Sequence, residues 1–288
     1  MSEILVVFGS DRHLAGTLNL PEGGETEPVG VLLYNAGVIS RMGPHRLNVK
    51  LARDLSARGV ASLRFDLSGQ GDSRVCAQGH TFERQAVLDL QAAMDHMERI
   101  CNIKHFVVGG ICSGAHTGLA VADIDPRVVG LWMVDGHAYP TLKSLWRRRI
   151  PQLTRRPLQT LLQWSKSLVG LALFPLRRLM RRQNRHLAVL DMGRETPSKE
   201  AFANTMQTIV DRGVDVFMVY TASVWWTYNY AGQWRDSFKD RAFVDQVRCE
   251  HLPEMDHTAT RLSSQRWLID NLGKWVDNIC DRPQHTVW

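Results

Sequence analysis

The chain has 288 residues, 44% hydrophobic and 22% charged, which suits one large globular domain or one domain with an insertion. It contains no run of about 18 apolar residues, and its first residues lack a basic region and a small-residue cleavage site, so neither a membrane span nor a signal peptide is predicted. The five cysteines form no C-x-x-C pair and no metal-ligand spacing, which argues against a disulfide framework or a zinc site and favours a reducing, cytoplasmic compartment.

The positive charge is concentrated in one segment. The whole chain carries 35 Lys and Arg against 29 Asp and Glu, a net charge of +6. Residues 141–190 contain 12 of the basic residues and no acidic one, so the other 23 are outnumbered by 29 acids in the rest of the chain. An isolated basic segment of this kind indicates a surface for an anionic partner or a solvated face.

Apolar runs separated by turn residues predict the secondary structure in chain order. The predicted strands are 4–8, 14–20, 29–34, 61–66, 105–109, 128–134, 214–220 and 247–252. The predicted helices are 46–58, 82–100, 115–122 and 264–279. Because strands and helices alternate, we expect an α/β fold with a mostly parallel, doubly wound sheet.

The regular alternation stops after Asp135. Residues 141–199 are basic, helical in pattern and interrupted by four prolines, which are Pro151, Pro157, Pro175 and Pro197. This segment is predicted to be an inserted helical cap, and residues 1–140 and 200–288 are predicted to form the core domain.

The central motif is Gly110-Ile111-Cys112-Ser113-Gly114, placed between a predicted strand and a predicted helix. This is the context of a nucleophile elbow, in which small residues flank a sharp turn. Cys112 is therefore the candidate nucleophile, and the N-terminus of the following helix would favour its thiolate. The alternative is a buried structural cysteine. Ser113 lies one residue past the apex, so its backbone N–H rather than its hydroxyl is expected to face the site.

Four motifs together resemble the α/β-hydrolase superfamily: Tyr-Asn-Ala-Gly at 34–37, Arg-Phe-Asp-Leu-Ser-Gly-Gln-Gly-Asp-Ser at 64–73, the elbow at 110–114, and Asp-His-Thr at 256–258. More narrowly, 35–37 with Arg41, 43–47 and 65–73 resemble the hydrolases associated with exosortase A systems. The resemblance implies an α/β-hydrolase fold with an inserted cap. It also implies the chain order nucleophile, acid, histidine.

His257 matches the histidine of that order and is the predicted general base. The superfamily's commonest acid position follows the strand that ends at Tyr220, but residues 221–224 contain no carboxylate. Asp135 ends the preceding predicted strand on the same sheet edge, so we expect it to orient His257. Asp256 is expected to fix the histidine loop, and Asp236 is a further candidate acid.

The oxyanion hole is expected to use two backbone N–H groups. One belongs to Ser113, and the other to Gly37, or to Ala36 or Val38 if the register differs by one residue. Asp66 and the loop 69–72 are expected to be structural. His116 and His137 are candidates to line the pocket, and an aromatic cluster is expected either to wall an acyl pocket or to pack the cap. The cluster consists of Trp225, Trp226, Tyr228, Tyr230 and Trp234.

These residues predict acyl transfer through a Cys112 acyl-enzyme, without a cofactor or metal. The substrate would be an acyl thioester or ester, and the enzyme a thioesterase or esterase if water is the acceptor and an acyltransferase otherwise. A lactone-opening enzyme or lyase on the same site is one alternative. A non-catalytic binding or membrane-recruited protein is another, favoured by the missing carboxylate after Tyr220.

The basic segment at 141–190 has three functional interpretations beside that of a solvated face. Its apolar and arginine residues suit a helix on an anionic membrane surface, with a peripheral location for the protein. They also suit an acidic acyl carrier protein or an anionic substrate. Nucleic acid is not expected, because no binding motif accompanies the charge. The residues in question are Leu161, Leu162, Trp164, Leu168, Leu171, Arg177, Arg178, Arg181 and Arg182.

Overall fold

The computed structural model describes residues 1–77, 79–155 and 196–282, with the backbone alone at 150–155. Within these residues eight strands form one sheet, in the spatial order β1-β2-β4-β3-β5-β6-β7-β8. The strands are β1 (Ser2–Phe8), β2 (Leu14–Leu20), β3 (Val29–Leu33), β4 (Ser62–Phe65), β5 (His105–Ile111), β6 (Val128–Val134), β7 (Asp215–Thr221) and β8 (Arg248–Leu252).

Pairing is antiparallel from β1 to β2 and from β2 to β4, and parallel across the rest of the sheet. The helices of the described residues are α1 (Leu47–Ala57), α2 (Phe82–Cys101), α3 (Ser113–Ile124), α4 (Leu142–Arg155), α5 (Lys199–Asp211), α6 (Gln233–Phe238) and α7 (Leu262–Cys280). The predicted mostly parallel sheet with helices on both faces is therefore confirmed.

Alternate residues of the central strands enter two different cores, because successive side chains of a strand point to opposite faces of the sheet. In β5, Phe106 and Val108 pack in one core, together with apolar residues of α2, α3 and α5. Val107 packs in the other core, with residues of α1 and α7. Both faces of the central strands are thus covered, which explains why they read as continuous apolar runs.

The carboxyl ends of the parallel strands lie at one edge of this sheet, and three of them carry the candidate site residues. Cys112 follows β5 directly, and its N–H donates to the Val134 carbonyl at 3.0 Å. Asp135 follows β6, and its N–H donates to the Val219 carbonyl at 2.9 Å. His257 lies in the loop after β8. The sheet therefore brings together residues that are far apart in the sequence.

The observed elements match the predicted ones to within a few residues, with three differences. Helix α5 was not predicted, although Ser198 caps it by accepting the Ala201 N–H at 3.1 Å. The short helix α6 lies in a stretch expected to be a loop. Helix α4 continues through Pro151, since a proline removes one helical hydrogen bond without necessarily ending the helix.

Of the predicted cap, residues 156–195 lie outside the described residues. The predicted membrane-surface helix, with its leucines and arginines between 161 and 182, lies outside them as well. Among the helices that are described, none combines the length and the apolar character that crossing a bilayer requires.

Candidate active site

Cys112 occupies a sharp turn between β5 and α3. Its backbone angles are φ 57° and ψ −117°, a conformation that L-residues rarely adopt. A Cβ at Gly110 would lie 3.2 Å from the Cα of Gly114, and one at Gly114 would lie 3.1 Å from the Asn35 carbonyl oxygen, so a side chain at either position would crowd the turn. The Tyr34 hydroxyl donates to the Gly114 carbonyl at 2.8 Å and holds the turn against the end of β3. The strained geometry is that expected of a nucleophile elbow.

The Cys112 side chain is exposed and contacts two hydrogen-bond donors. One is the imidazole of His257, and the other is the backbone N–H of Ser113 at the start of α3. The hydrogen bond to His257 is the main cause that lowers the pKa of Cys112 below its ordinary value of 9.0.

His257 and Asp135 form a close pair on the other side of the imidazole ring. The Nδ1 of His257 lies 2.7 Å from Oδ2 of Asp135, and the carboxylate is fully buried. The hydrogen bond to Asp135, followed by that to Cys112, raises the pKa of His257 to about 10. The arrangement therefore favours the imidazolium form of His257 at neutral pH and increases the thiolate fraction of Cys112.

Thr221, which the sequence analysis did not identify as a site residue, holds the Asp135 carboxylate in place. Its backbone N–H donates to Oδ1 at 2.7 Å, and its hydroxyl donates to Oδ2 at 2.6 Å. Thr221 ends β7, beside the position where the superfamily's acid is commonest. Here that region supplies a hydrogen-bond donor, Thr221, and the carboxylate that it orients belongs to Asp135, after β6. The only sequence signal was the missing acid after Tyr220.

Ser223 is a second residue that the sequence analysis missed. Its hydroxyl accepts the backbone N–H of His257 at 2.8 Å. The Ala222 N–H donates to the Met255 carbonyl at 2.9 Å, so the loops after β7 and β8 are joined at two points. These bonds fix the backbone that carries the imidazole.

The expected oxyanion donors are adjacent, but one of them is already bonded. The Gly37 N–H donates to the Ser113 hydroxyl at 2.7 Å. Ala36 instead forms a bridge with Ile39, and Val38 is 87% exposed. A substrate oxygen reaching the Gly37 amide must therefore displace the Ser113 hydroxyl.

Asp66 anchors the loop after β3 that carries Gly37. Its buried carboxylate accepts the Arg41 N–H at 2.7 Å and the Asn35 amide at 3.2 Å, and it pairs with the Arg41 guanidinium. A Cβ at Gly71 would overlap the same carboxylate. The contacts of Asp66 and its loop are those of a supporting structure, as predicted.

Asp256 and Asp236 do not contact His257 in the way the triad acid would. Asp256 accepts hydrogen bonds from the backbone N–H groups of Thr258 and Thr260, within the histidine loop itself. Asp236 accepts the Tyr230 hydroxyl at 2.6 Å. Asp256 is therefore placed to fix the histidine loop, as expected. Asp236 makes no contact that would give it a part in the triad.

His116 and His137 form a stacked pair, with ring centroids 4.0 Å apart and an angle of 4° between the rings. His116 is one helical turn beyond Cys112, and His137 is two residues beyond Asp135. Burial, followed by the proximity of His116, lowers the pKa of His137 to about 3, so this ring stays neutral. The pair lies against Phe202 of α5, whose ring is 5.6 Å from His137.

The aromatic cluster divides into a buried part and an exposed part. Tyr228, Tyr230 and Trp234 are buried, and Tyr228 stacks on Tyr220 at 3.8 Å. Trp226 is 59% exposed. Within the described ranges no group of three or more His, Cys, Asp or Glu side chains is arranged to hold a metal ion.

Comparison with known proteins agrees with this architecture. The model of the alpha/beta hydrolase family matches residues 41–267. No curated protein gives a significant match.

Many solved structures share the fold. The esterase domain of a Rhodothermus marinus protein has a TM-score of 0.55 and 16% identity over 96% of this chain and 99% of its own. Est1E from Butyrivibrio proteoclasticus has a TM-score of 0.54 and 14% identity, over 96% of this chain and 99% of its own. The proline iminopeptidase of Mycobacterium smegmatis has a TM-score of 0.56 and 15% identity, over 97% of this chain and 99% of its own. At these identities the similarity concerns the fold alone.

Proposed function

Since the chain belongs to the alpha/beta hydrolase family, we propose that it is an acyl-transfer enzyme with Cys112, His257 and Asp135 as its triad. The supporting observation is that one imidazole bonds both the Cys112 thiol and the buried Asp135 carboxylate, the latter at 2.7 Å. The narrower resemblance to hydrolases of exosortase A systems, carried by 35–37 with Arg41, 43–47 and 65–73, is part of the same proposal.

In the first step the Cys112 thiolate attacks the carbonyl carbon of an acyl thioester or ester. The oxygen of the tetrahedral intermediate accepts the N–H groups of Ser113 and Gly37. The carbon–sulfur or carbon–oxygen bond of the substrate then breaks, and the leaving group takes the proton of the His257 imidazolium. The product of this step is an acyl-Cys112 thioester with a neutral His257.

In the second step the neutral His257 removes a proton from the acceptor, which attacks the acyl-enzyme and releases the thiolate. Water gives a thioesterase or esterase, and an alcohol or amine gives an acyltransferase. Asp135 stabilises the imidazolium that this step forms again. The missing carboxylate at residues 221–224 favoured a non-catalytic protein. Because Asp135 pairs with His257 from another strand, that observation no longer favours this alternative.

The proposal is tested by intact-mass spectrometry after mixing the protein with short- and medium-chain acyl thioesters and esters. The wild type should gain one acyl mass, and Cys112→Ala should gain none. Cys76→Ala is the matched control, because it removes a partly buried thiol away from the triad and should keep the adduct.

Three outcomes distinguish the alternatives. An adduct that survives Cys112→Ala would refute the proposed nucleophile. Turnover that depends on Cys112 without any trapped acyl species would favour the lactone-opening or lyase alternative. No adduct, no turnover and no selective alkylation of Cys112 would favour a binding protein.

A further inference from the structure

A basic and aromatic surface formed by α4 and the loop after β7 has no part in the acyl-transfer steps. We call it the α4 surface, and it consists of Lys143, Arg147 and Arg148 on α4 and Trp226 in the loop after β7. Lys143 and Arg147 are exposed, and the Trp226 side chain is 59% exposed. Residues 143 and 147 are one helical turn apart, so the charge is compact, within about 6 Å along the helix.

The α4 surface is fastened to the loop after β7. The Asn229 amide donates to the Ser144 carbonyl at 3.0 Å, and the hydroxyls of Thr141 and Tyr230 are 2.8 Å apart. The Arg148 guanidinium donates to the Trp226 carbonyl at 3.2 Å. The cations of α4 are therefore held at a defined place on the protein.

The same loop is bonded to the catalytic histidine. Trp226 is three residues beyond Ser223, whose hydroxyl accepts the His257 N–H. The pKa of His251, on the neighbouring strand β8, is lowered by burial and then by the charge of Arg147, while Asp135 acts on it in the opposite direction. The rings of His251 and Tyr228, a residue of the same loop, lie 5.5 Å apart, so the loop that bears Trp226 packs against β8, the strand that precedes His257.

Within residues 1–77, 79–155 and 196–282, no acidic side chain neutralises the positive charge of this surface. Lys143 and Arg147 both lie over the Tyr230 ring, at 4.5 Å and 5.4 Å from its centroid, and Arg148 lies 5.6 Å from the Trp226 centroid. No carboxylate of the described residues forms an ion pair with any of the three. The nearby Asp236 carboxylate is bonded to the Tyr230 hydroxyl. Like charges gathered in this way favour a bound anion.

We infer that the α4 surface binds the phosphate groups of coenzyme A, so that the substrate class is acyl-coenzyme A thioesters. This inference rests on the proposed function, because the acyl carbon must reach Cys112. A compact group of two arginines and a lysine suits a diphosphate, and an exposed indole beside it suits stacking with adenine. An acidic carrier protein would present charge over a wider area than one helical turn.

The test compares one acyl group on two thiols, coenzyme A and the neutral N-acetylcysteamine. The readout is the ratio of the two kcat/KM values, for the wild type and for Lys143→Gln, Arg147→Gln and Arg148→Gln, alone and combined. Each substitution should lower the ratio by about tenfold, mainly through the KM for the coenzyme A thioester, because each removes a charged partner of a phosphate. Lys274→Gln, an exposed lysine on α7, should leave the ratio unchanged.

Ionic strength provides a second measurement that needs no variant. The ratio for the wild type should fall steeply between low salt and about 0.5 M salt, because phosphate contacts at a surface are screened. A ratio near one at all salt concentrations would overturn the inference. So would substitutions that leave the ratio as it is in the wild type.

Two further outcomes separate this inference from its premise. If the neutral thioester acylates Cys112 but coenzyme A confers no advantage, the proposed function stands and the coenzyme A site is refuted. If neither these thioesters nor the esters of the mass-spectrometry experiment acylate Cys112, the proposed function fails. An acyl carrier protein thioester that outperforms acyl-coenzyme A, with a preference that the same substitutions abolish, would assign the surface to a carrier protein instead.

Discussion

The Ser113 hydroxyl accepts the backbone N–H of Gly37 at 2.7 Å, in the distance range expected between an oxyanion and its donor. The side chain that follows the nucleophile thus holds one of the two amides that the proposed mechanism requires. In the resting protein the hydroxyl occupies the position that a substrate oxygen would take.

The substitution Ser113→Ala should therefore raise kcat/KM. It removes the group that competes with the substrate for the Gly37 amide and keeps the backbone N–H of residue 113. One neutral hydrogen bond has a net value of about 1 kcal/mol, so the increase should be about fivefold. Steady-state kinetics on an activated ester or thioester would measure it, with the double variant Cys112→Ala/Ser113→Ala as background. A loss of about 10²-fold would instead identify the hydroxyl as an oxyanion donor.

The substitution Thr221→Val should lower kcat/KM by about tenfold, because it removes a hydrogen bond to a charged group, the Oδ2 atom of Asp135. The backbone N–H of residue 221 would still donate to Oδ1. Thr221→Ser is the matched control, since it keeps the hydroxyl and loses only a methyl group. Equal losses in the two variants would assign the effect to packing of this buried side chain.

The pH dependence of alkylation reports on the thiol–imidazole pair. Iodoacetamide reacts with the thiolate, so Cys112 should reach half its maximal labelling rate below pH 9.0, whereas the thiol of Cys280 has a pKa raised to about 12 by burial. Above about pH 10 the His257 imidazolium loses its proton, so kcat/KM for the acylation step should fall there.

The variant Asp135→Asn tests whether Asp135, acting through His257, lowers the pKa of the Cys112 thiol. Without the carboxylate the pKa of His257 should fall from about 10 toward its ordinary value of 6.5. Between these two pH values the imidazole would then be neutral, and it would no longer stabilise the thiolate. The midpoint for Cys112 labelling should therefore move to higher pH. A midpoint that stays in place or falls would show that Asp135 does not act through His257.

Asp66 and Asp72 offer a matched pair for stability, since both contact Arg41 but only Asp66 is buried. Asp66→Asn should lower the free energy of unfolding by about 3 kcal/mol, because it leaves the guanidinium without its buried partner. Asp72→Asn should cost less than about 1 kcal/mol, because its side chain is 71% exposed. Urea denaturation would measure both, and equal costs would contradict this account of the loop.

Much of the fold follows from the sequence because the central strands are buried on both faces. Continuous apolar runs such as that of β6, followed by Asp135, are typical of strands that helices cover on both faces. The same reasoning predicted that residues ending neighbouring parallel strands would meet at one edge. It was therefore possible to select Asp135 as the partner of His257, although the commonest acid position holds no carboxylate.

Other features depend on contacts that no local pattern encodes. Helix α6 has six residues, too few for an apolar period to be recognised. It also lies in an aromatic-rich stretch whose composition suggested a loop lining a pocket. Thr221 and Ser223 are ordinary polar residues until folding brings them to Asp135 and His257. The bond between Ser113 and Gly37 depends on a side-chain rotamer, which sequence order does not determine.

Six residues separate Asp135, the proposed triad acid, from the start of α4. A displacement of α4 would reach the carboxylate through this connection. The Tyr220 hydroxyl, however, donates to the His137 carbonyl at 2.6 Å and holds the connection to β7 two residues beyond Asp135. We expect this bond to limit how far movements of α4 are transmitted to the Asp135 carboxylate, so that its contact with His257 would persist when α4 is displaced.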